Sequence, residues 1–99
     1  MLRFLEANFA ETHSLSDLAA RAGLSRFHFL RVFRDLTGTS PNRFLIGLRL
    51  RACAERLQDS AAPITEIALD AGFNDVSHFN HLFRRAFAMS PGRWRRLGR

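Results

Sequence analysis

Two sets of side chains in this sequence combine residue types that recognise nucleic-acid bases with the spacing of a helix face. The first set falls at positions i, i+3, i+4 and i+7 and comprises Phe27, Leu30, Arg31 and Arg34. The second set lies 50 residues later and comprises Ser77, Asn80, His81 and Arg84. Arginine can pair with guanine, asparagine with adenine, and an apolar side chain with the thymine methyl group. Since neither set contains an acid, both faces are predicted to read base edges, with a merely polar helix face as the alternative.

Metal binding and catalysis receive little support from the remaining reactive side chains. His78 and His81 are spaced i, i+3, which suits metal ligation on a helix, but no thiolate or carboxylate accompanies them at ligand spacing. The single cysteine, Cys53, belongs to an apolar stripe and is predicted to be a buried small side chain. The sequence also has no glycine-rich phosphate loop. We therefore predict that the chain is not an enzyme and uses no metal or cofactor.

The charge balance favours a polyanionic partner. The 99 residues carry 15 basic and 9 acidic side chains, a formal net charge of +6, and every basic residue is arginine. Residues 84–99 contain no acid and six arginines, Arg99 among them. Five arginines are predicted to contact phosphate, namely Arg26, Arg34, Arg84, Arg95 and Arg96. A solvated basic tail and a basic protein without a nucleic-acid partner stay open as alternatives.

The two candidate base-reading faces lie in two related halves of the chain. At an offset of 49 residues, three positions match in pairs: Leu18, Ala19 and Gly23 with Ile67, Ala68 and Gly72. One inserted residue then changes the offset to 50, and further pairs follow: Phe29, Phe33, Ser40 and Pro41 with Phe79, Phe83, Ser90 and Pro91. Two copies are too few for a solenoid, so the pattern predicts a duplicated supersecondary unit.

Each copy has the start and stop signals of two helices joined by a tight turn. The signals of the first helices are hydroxyl N-caps at Ser16 and Thr65 and terminal glycines at Gly23 and Gly72. A longer second helix is then capped by Ser25 in the first copy and by Asp75 or Asn74 in the second. Two helices around a glycine-containing turn form the helix-turn-helix pattern.

Apolar periodicity predicts which helix faces form the core. In the second helices, the apolar stripes comprise Phe29, Val32, Phe33 and Leu36 in one copy and Phe79, Leu82, Phe83, Ala86 and Phe87 in the other. Between the copies, Ser40 and Pro41 start a linker helix about 27 Å long. The apolar stripe of the linker helix comprises Ile46, Leu50, Cys53 and Leu57.

Two further short helices complete the predicted architecture. One runs over about residues 2–10, and the last begins at Ser90–Pro91. The sequence thus predicts an all-α fold of seven helices, a homeodomain-like duplication of the helix-turn-helix. The first unit is assigned to residues 1–39, the linker helix to 40–59 and the second unit to 60–99.

These motifs resemble the DNA-binding domain of the AraC/XylS family of bacterial transcription regulators over nearly the whole chain. The most specific stretch runs from Ile67 to Asp75 and continues through His78–Phe79, Phe83–Arg85 and Ser90–Pro91. The resemblance implies that the two second helices enter two successive major grooves. It implies base-side roles for Phe27, Leu30, Arg31, Ser77, Asn80 and His81, and phosphate contacts for Arg34 and Arg84.

Two positions depart from the family pattern. Ala88 stands where the first copy has Gly38 and where family members usually have glycine. If this position needs a positive φ, either the alanine costs about 1 kcal/mol or the turn is rearranged. His81 stands where arginine is common, which leaves the base preference of the second helix open.

The function expected from these features is sequence-specific binding of an asymmetric site on double-stranded DNA by a monomer that regulates bacterial transcription. A cytoplasmic location is expected, since there is one cysteine, no apolar run that spans a membrane and no signal-peptide core. The chain is either a short regulator or one domain of a longer one. The alternatives are a protein-interaction domain whose Phe27 and Leu30 contact a partner such as RNA polymerase, and a non-specific nucleoid-type binder.

Overall fold

Seven α-helices account for most of residues 1–98, the part of the chain that the computed structural model describes; Arg99 lies outside it. The helices are α1 (Leu2–Ala7), α2 (Leu15–Arg21), α3 (Arg26–Thr37), α4 (Pro41–Asp59), α5 (Ile64–Asp70), α6 (Val76–Phe87) and α7 (Pro91–Leu97). Residues 1–98 contain no strand. The predicted all-α fold of seven helices is therefore confirmed, although α1 ends at Ala7, earlier than expected.

Short-range capping bonds explain where most helices begin. The Ser25 and Ser40 hydroxyls accept hydrogen bonds from the backbone N–H groups of His28 and Arg43, at 3.2 and 3.3 Å. The Asp75 carboxylate caps α6 in the same way. Each acceptor satisfies an N–H group that has no partner within the first helical turn. The starts predicted for α3, α4 and α6 are confirmed.

The N-caps predicted for α2 and α5 are wrong. Helix α2 begins two residues earlier, because the Ser14 hydroxyl accepts from the Asp17 N–H at 3.0 Å and leaves Ser16 inside the first turn. Helix α5 follows Pro63, at φ −58°, and has no side-chain cap, so Thr65 also lies within its helix. In both cases the true cap lies just before the apolar residue that opens the helix.

Two hydrophobic cores lie at the two ends of α4. The first core consists of Leu5, Leu18, Ala19, Phe29, Phe33 and Leu45. The second core consists of Leu50, Cys53, Ala54, Leu57, Ile67, Ala68, Ala71, Phe73, Phe79 and Phe83. Helix α4 contributes Leu45 to one core and four residues to the other, so it is shared by both units; the four are Leu50, Cys53, Ala54 and Leu57. The molecule is correspondingly elongated, with principal extents of 45 × 22 × 21 Å.

Two residues predicted to belong to the apolar stripes lie at the surface. Leu36 is 77% exposed, and Ala86, 50 residues later, is exposed as well. Both lie in the last turn of their helices, Arg26–Thr37 and Val76–Phe87, which extends past the edge of the core. Helical periodicity gives the direction of a side chain but not whether another element lies opposite it.

The left-handed residue after α6 offers a test of stability. Ala88 has φ 62° and its N–H donates to the Arg84 carbonyl, as Gly38 (φ 77°) does to Arg34. Because an L side chain is strained in this region, Ala88→Gly is expected to raise the free energy of unfolding by about 1 kcal/mol. This corresponds to about 4–8 °C in Tm for a domain of this size, measurable by thermal unfolding.

Gly38→Ala is the matched control for Ala88→Gly. A Cβ added at Gly38 would meet nothing within 4 Å, so the substitution adds backbone strain without a clash. Gly38→Ala is therefore expected to lower the free energy of unfolding by about as much as Ala88→Gly raises it. An Ala88→Gly variant no more stable than the parent would contradict a strained Ala88.

Candidate nucleic-acid interface

Helix α3 buries one face and exposes the other. Phe29 and Phe33 are buried in the first core, whereas Phe27 is 76% exposed and Leu30 is 38% exposed. Arg31 and Arg34, on the same outward face, are exposed too. Large apolar side chains beside arginines on an open helix face are unusual for a merely solvated surface.

Helix α6 is oriented in its unit by the same type of packing. Phe79 and Phe83 are fully buried in the second core. The Asp75 Oδ1 atom accepts hydrogen bonds from the N–H groups of Ser77 and His78, at 2.9 and 3.3 Å. On the outward face, Ser77, His81 and Arg84 are exposed and Asn80 is half-buried. This face therefore offers hydrogen-bonding groups in place of the apolar groups of α3.

The outward residues of α3 line a concave surface that continues onto the start of α4. Its lining residues are Phe27, Leu30, Arg31, Arg34, Asp35 and Ser40. Because Ser40 is the N-cap of α4, the positive end of a 19-residue helix adjoins the arginines. The arrangement suits an anionic ligand with apolar edges, which is the character of the DNA major groove.

Asp35 was missed by the sequence reasoning, which described this face as free of acids. The residue lies four positions after Arg31, one helical turn further on, and is exposed. The position 50 residues later holds Arg85, so the two units differ in charge at this point. Extending the i, i+4 spacing by one more turn would have found it.

The five arginines predicted to contact phosphate divide into two groups. Arg26, Arg34, Arg84 and Arg96 are exposed. Arg95 is half-buried, and its Nε donates to the Leu57 carbonyl at 2.9 Å. Its Nη2 donates to the Ser60 and Ala62 carbonyls at 3.3 and 2.6 Å. These bonds satisfy carbonyls at and just after the C-terminal end of α4, and they use three of the five guanidinium N–H groups within the protein.

A family model described as a helix-turn-helix domain matches residues 18–97. The right origin-binding protein of Escherichia coli K12 is 35% identical over 96 residues, 97% of this chain and 33% of that protein. The activator RhaS of Escherichia coli O139:H28 is 38% identical over 91 residues, 92% of this chain and 33% of RhaS.

Two solved structures have closely similar folds. One is a regulator with an AraC-type DNA-binding domain from Chromobacterium violaceum, with TM-score 0.90 and 32% identity over 98% of this chain and 87% of that one. The other is the DNA-binding domain of the transcription factor AdpA in complex with target DNA, with TM-score 0.91 and 32% identity over 97% and 86%. The chain belongs to the AraC/XylS family of DNA-binding domains. The predicted resemblance is confirmed.

This AraC/XylS-type domain spans about a third of the length of the curated relatives that it matches. The structure also supports the relation between the two helix-turn-helix units within the domain. The turns at Gly23 and Gly72 both have positive φ, at 70° and 106°, as the duplicated pattern predicts.

The other reactive groups of the AraC/XylS-type domain are held apart. Within residues 1–98, no three His, Cys, Asp or Glu side chains are close enough to hold a metal ion. Burial raises the pKa of the Cys53 thiol to about 11, with Arg56 as an opposing influence. His13 lies against the Asn8 carbonyl at 2.7 Å.

None of the seven helices is long and apolar enough to cross a bilayer.

Proposed function

We propose that this chain is the DNA-binding part of a bacterial transcription regulator, active in the cytoplasm beside the chromosome and without catalytic activity. Helices α3 and α6 lie in two successive major grooves, and a single copy binds one asymmetric site. The observation that supports this most strongly is the pair of unlike outward faces on matched helices of an AraC/XylS fold. AdpA, whose domain has this fold, was solved with target DNA. The 45 Å length is also sufficient for grooves about 34 Å apart.

Position on the outward faces of α3 and α6 supports the choice of base-side residues. We assign this role to Phe27, Leu30, Arg31, Ser77, Asn80 and His81. Phosphate contacts are assigned to Arg26, Arg34, Arg84 and Arg96. Arg95 is not assigned to that group, because its three hydrogen bonds to backbone carbonyls give it a structural role instead.

The proposed division of the domain keeps the boundaries assigned from the sequence. Residues 1–39 and 60–99 each carry one helix-turn-helix unit, and residues 40–59 carry α4. Since α4 lies in both cores, neither unit is complete without it.

Selection from random DNA with the purified chain tests the proposed function. We expect one asymmetric consensus extending over about two helical turns. Its affinity should exceed that for unrelated DNA by roughly 10³-fold or more. A ratio near one would instead indicate a non-specific nucleoid-type binder.

A protein-interaction domain is the second candidate, because Phe27 and Leu30 are exposed apolar side chains. In that case these two side chains contact a protein partner such as RNA polymerase. The salt dependence of DNA affinity separates the two, since each phosphate contact lowers the logarithm of affinity by about 0.9 per tenfold increase in salt. DNA binding that hardly changes with salt would favour the protein partner.

The negative charge of Asp35 is expected to weaken DNA binding at the concave surface. Because its carboxylate lies on the concave surface with Arg31 and Arg34, it repels DNA phosphates. Asp35→Asn is expected to raise the affinity for all sequences by roughly two- to fivefold, as measured by fluorescence anisotropy. The control is Asp59→Asn, which makes the same charge change at the C-terminal end of α4, away from the concave surface. It should have little effect on DNA affinity.

A different outcome would give Asp35 another role. If Asp35→Asn lost selectivity at one C·G pair without a general gain in affinity, the carboxylate would be accepting from a cytosine amino group. That result would contradict electrostatic repulsion as the role of Asp35.

A further inference from the structure

A contact beside the middle of α4 joins the two units. The segment 9–11, between α1 and α2, lies against the middle of α4. The Arg49 side chain donates from Nε to the Phe9 carbonyl at 2.6 Å and from Nη2 to the Glu11 carbonyl at 3.0 Å. These bonds connect residues 38 and 40 positions apart in the sequence.

The turn of the second unit lies against the same segment. Gly72 has φ 106°, and a Cβ added there would lie 2.7 Å from the Ala10 carbonyl oxygen and 3.0 Å from the Arg49 Nε. No side chain fits in this space, so the α5–α6 turn, segment 9–11 and Arg49 meet directly. We name this three-way contact, formed by segment 9–11, Arg49 and Gly72, the central brace.

Packing and partial burial support the central brace as a contact shared by the two units. Phe9 packs against both hydrophobic cores, and is thus shared by the two units. Arg49 is half-buried, and desolvation lowers the pKa of its guanidinium. A guanidinium taken partly out of water needs hydrogen-bond acceptors, which here are two backbone carbonyls.

Helix α4 has a weak point next to the central brace. Gly47 lies inside α4, two residues before Arg49, and a Cβ added there would meet nothing within 4 Å. Steric fit therefore does not require glycine at this position. Glycine inside a helix lowers its stability by about 1 kcal/mol relative to alanine and is a common site of bending.

We propose that Arg49 is a positioning residue that prevents α4 from bending at Gly47 and so fixes the orientation of α3 relative to α6. This inference depends on the proposed function, because a fixed orientation matters when both helices bind one DNA molecule. A braced domain accepts a single spacing between the two half-sites, whereas an unbraced domain tolerates several. The half-site spacing is therefore set by a side chain that does not itself read a base.

A distance measurement without DNA tests the central brace directly. Spin labels are attached at Leu36→Cys and Ala86→Cys, matched exposed positions in α3 and α6. The native Cys53 thiol is buried and stays unlabelled under mild conditions. We expect a single narrow distance distribution for the parent and one at least twofold broader for Arg49→Ala.

Two further variants make the distance test specific. Arg51→Ala removes an exposed arginine from the same helix and should leave the distribution narrow. Gly47→Ala, combined with Arg49→Ala, should narrow it again, because alanine stiffens the helix without a clash. A folded Arg49→Ala variant with the parent's distribution would overturn the proposal. If Arg49→Ala does not fold, Arg49→Met, which keeps a long unbranched side chain but has no N–H donor, is measured in the same way.

The second experiment uses the selected DNA site with one or two base pairs inserted or removed between its halves. The parent should lose at least tenfold in affinity on each altered site, and Arg49→Ala should lose less than threefold. Equal losses for both proteins would overturn the central brace while leaving sequence-specific binding intact. If the parent selects no site at all, the proposed function fails, and the distance measurement still decides the role of Arg49.

Discussion

Arg31→Ala is expected to weaken binding to the selected site by about 1–3 kcal/mol, or roughly 5- to 150-fold, and to relax selectivity at one base pair. The physical reason is that the guanidinium offers two parallel donors to the O6 and N7 atoms of guanine, which alanine cannot replace. Arg31 is exposed on the outward face of α3, between Phe27 and Arg34, where the concave surface can admit a base edge. Competition binding against single-base variants of the site measures both effects.

Arg34→Ala is the control for Arg31→Ala, since both residues are exposed arginines one turn apart on the same helix. Loss of a phosphate contact should weaken binding to all sequences alike and reduce the salt slope by about 1. If Arg31→Ala behaves in the same way as Arg34→Ala, then Arg31 contacts phosphate and the base-side assignment on α3 is wrong.

Phe83→Ala is expected to lower the free energy of unfolding by about 3–5 kcal/mol. Phe83 is 0% exposed, and its ring lies 5.7 Å from the Phe79 ring, 4.5 Å from Phe87 and 6.2 Å from Trp94, measured between centroids. Alanine leaves a cavity at the centre of the second core, so the loss includes both transfer and cavity terms.

Denaturant unfolding followed by two signals measures this effect. Trp94 is the single tryptophan and packs against the second core, so its fluorescence reports on that unit. Circular dichroism reports on all seven helices. Because the two cores have no buried residue in common, we expect the fluorescence transition of Phe83→Ala to precede the circular dichroism transition. Coincident transitions would show that α4 couples both cores into one cooperative unit.

Phe27→Ala separates stability from binding. Since Phe27 is 76% exposed, its removal should change the free energy of unfolding by less than about 0.5 kcal/mol. DNA affinity should fall, and the fall should be smaller on a site in which uracil replaces thymine, because the methyl contact is then absent. A large loss of stability in Phe27→Ala would indicate a packing role for this ring.

Local signals in the sequence predicted most of the helical framework. The caps of α3 and α4 depend on Ser25 and Ser40, and each cap bond reaches only three residues along the chain. The buried Phe29, Phe33, Phe79 and Phe83 follow from periodicity within one helix. Where two local signals competed, the prediction failed: Ser14 and Ser16 flank the same leucine, and nothing in the segment alone decides between them.

The outward faces of α3 and α6 were thus determined by the sequence itself, because helical spacing fixes which side chains share a face. The tertiary structure decided what lies opposite each face. It left Leu36 exposed beyond the edge of the core, and it directed Arg95 to the carbonyls at the end of α4. It also brought Arg49 to a segment 40 residues away. A long arginine side chain can reach a phosphate or a carbonyl equally well, and only the packing of distant elements determines which of these partners is within reach.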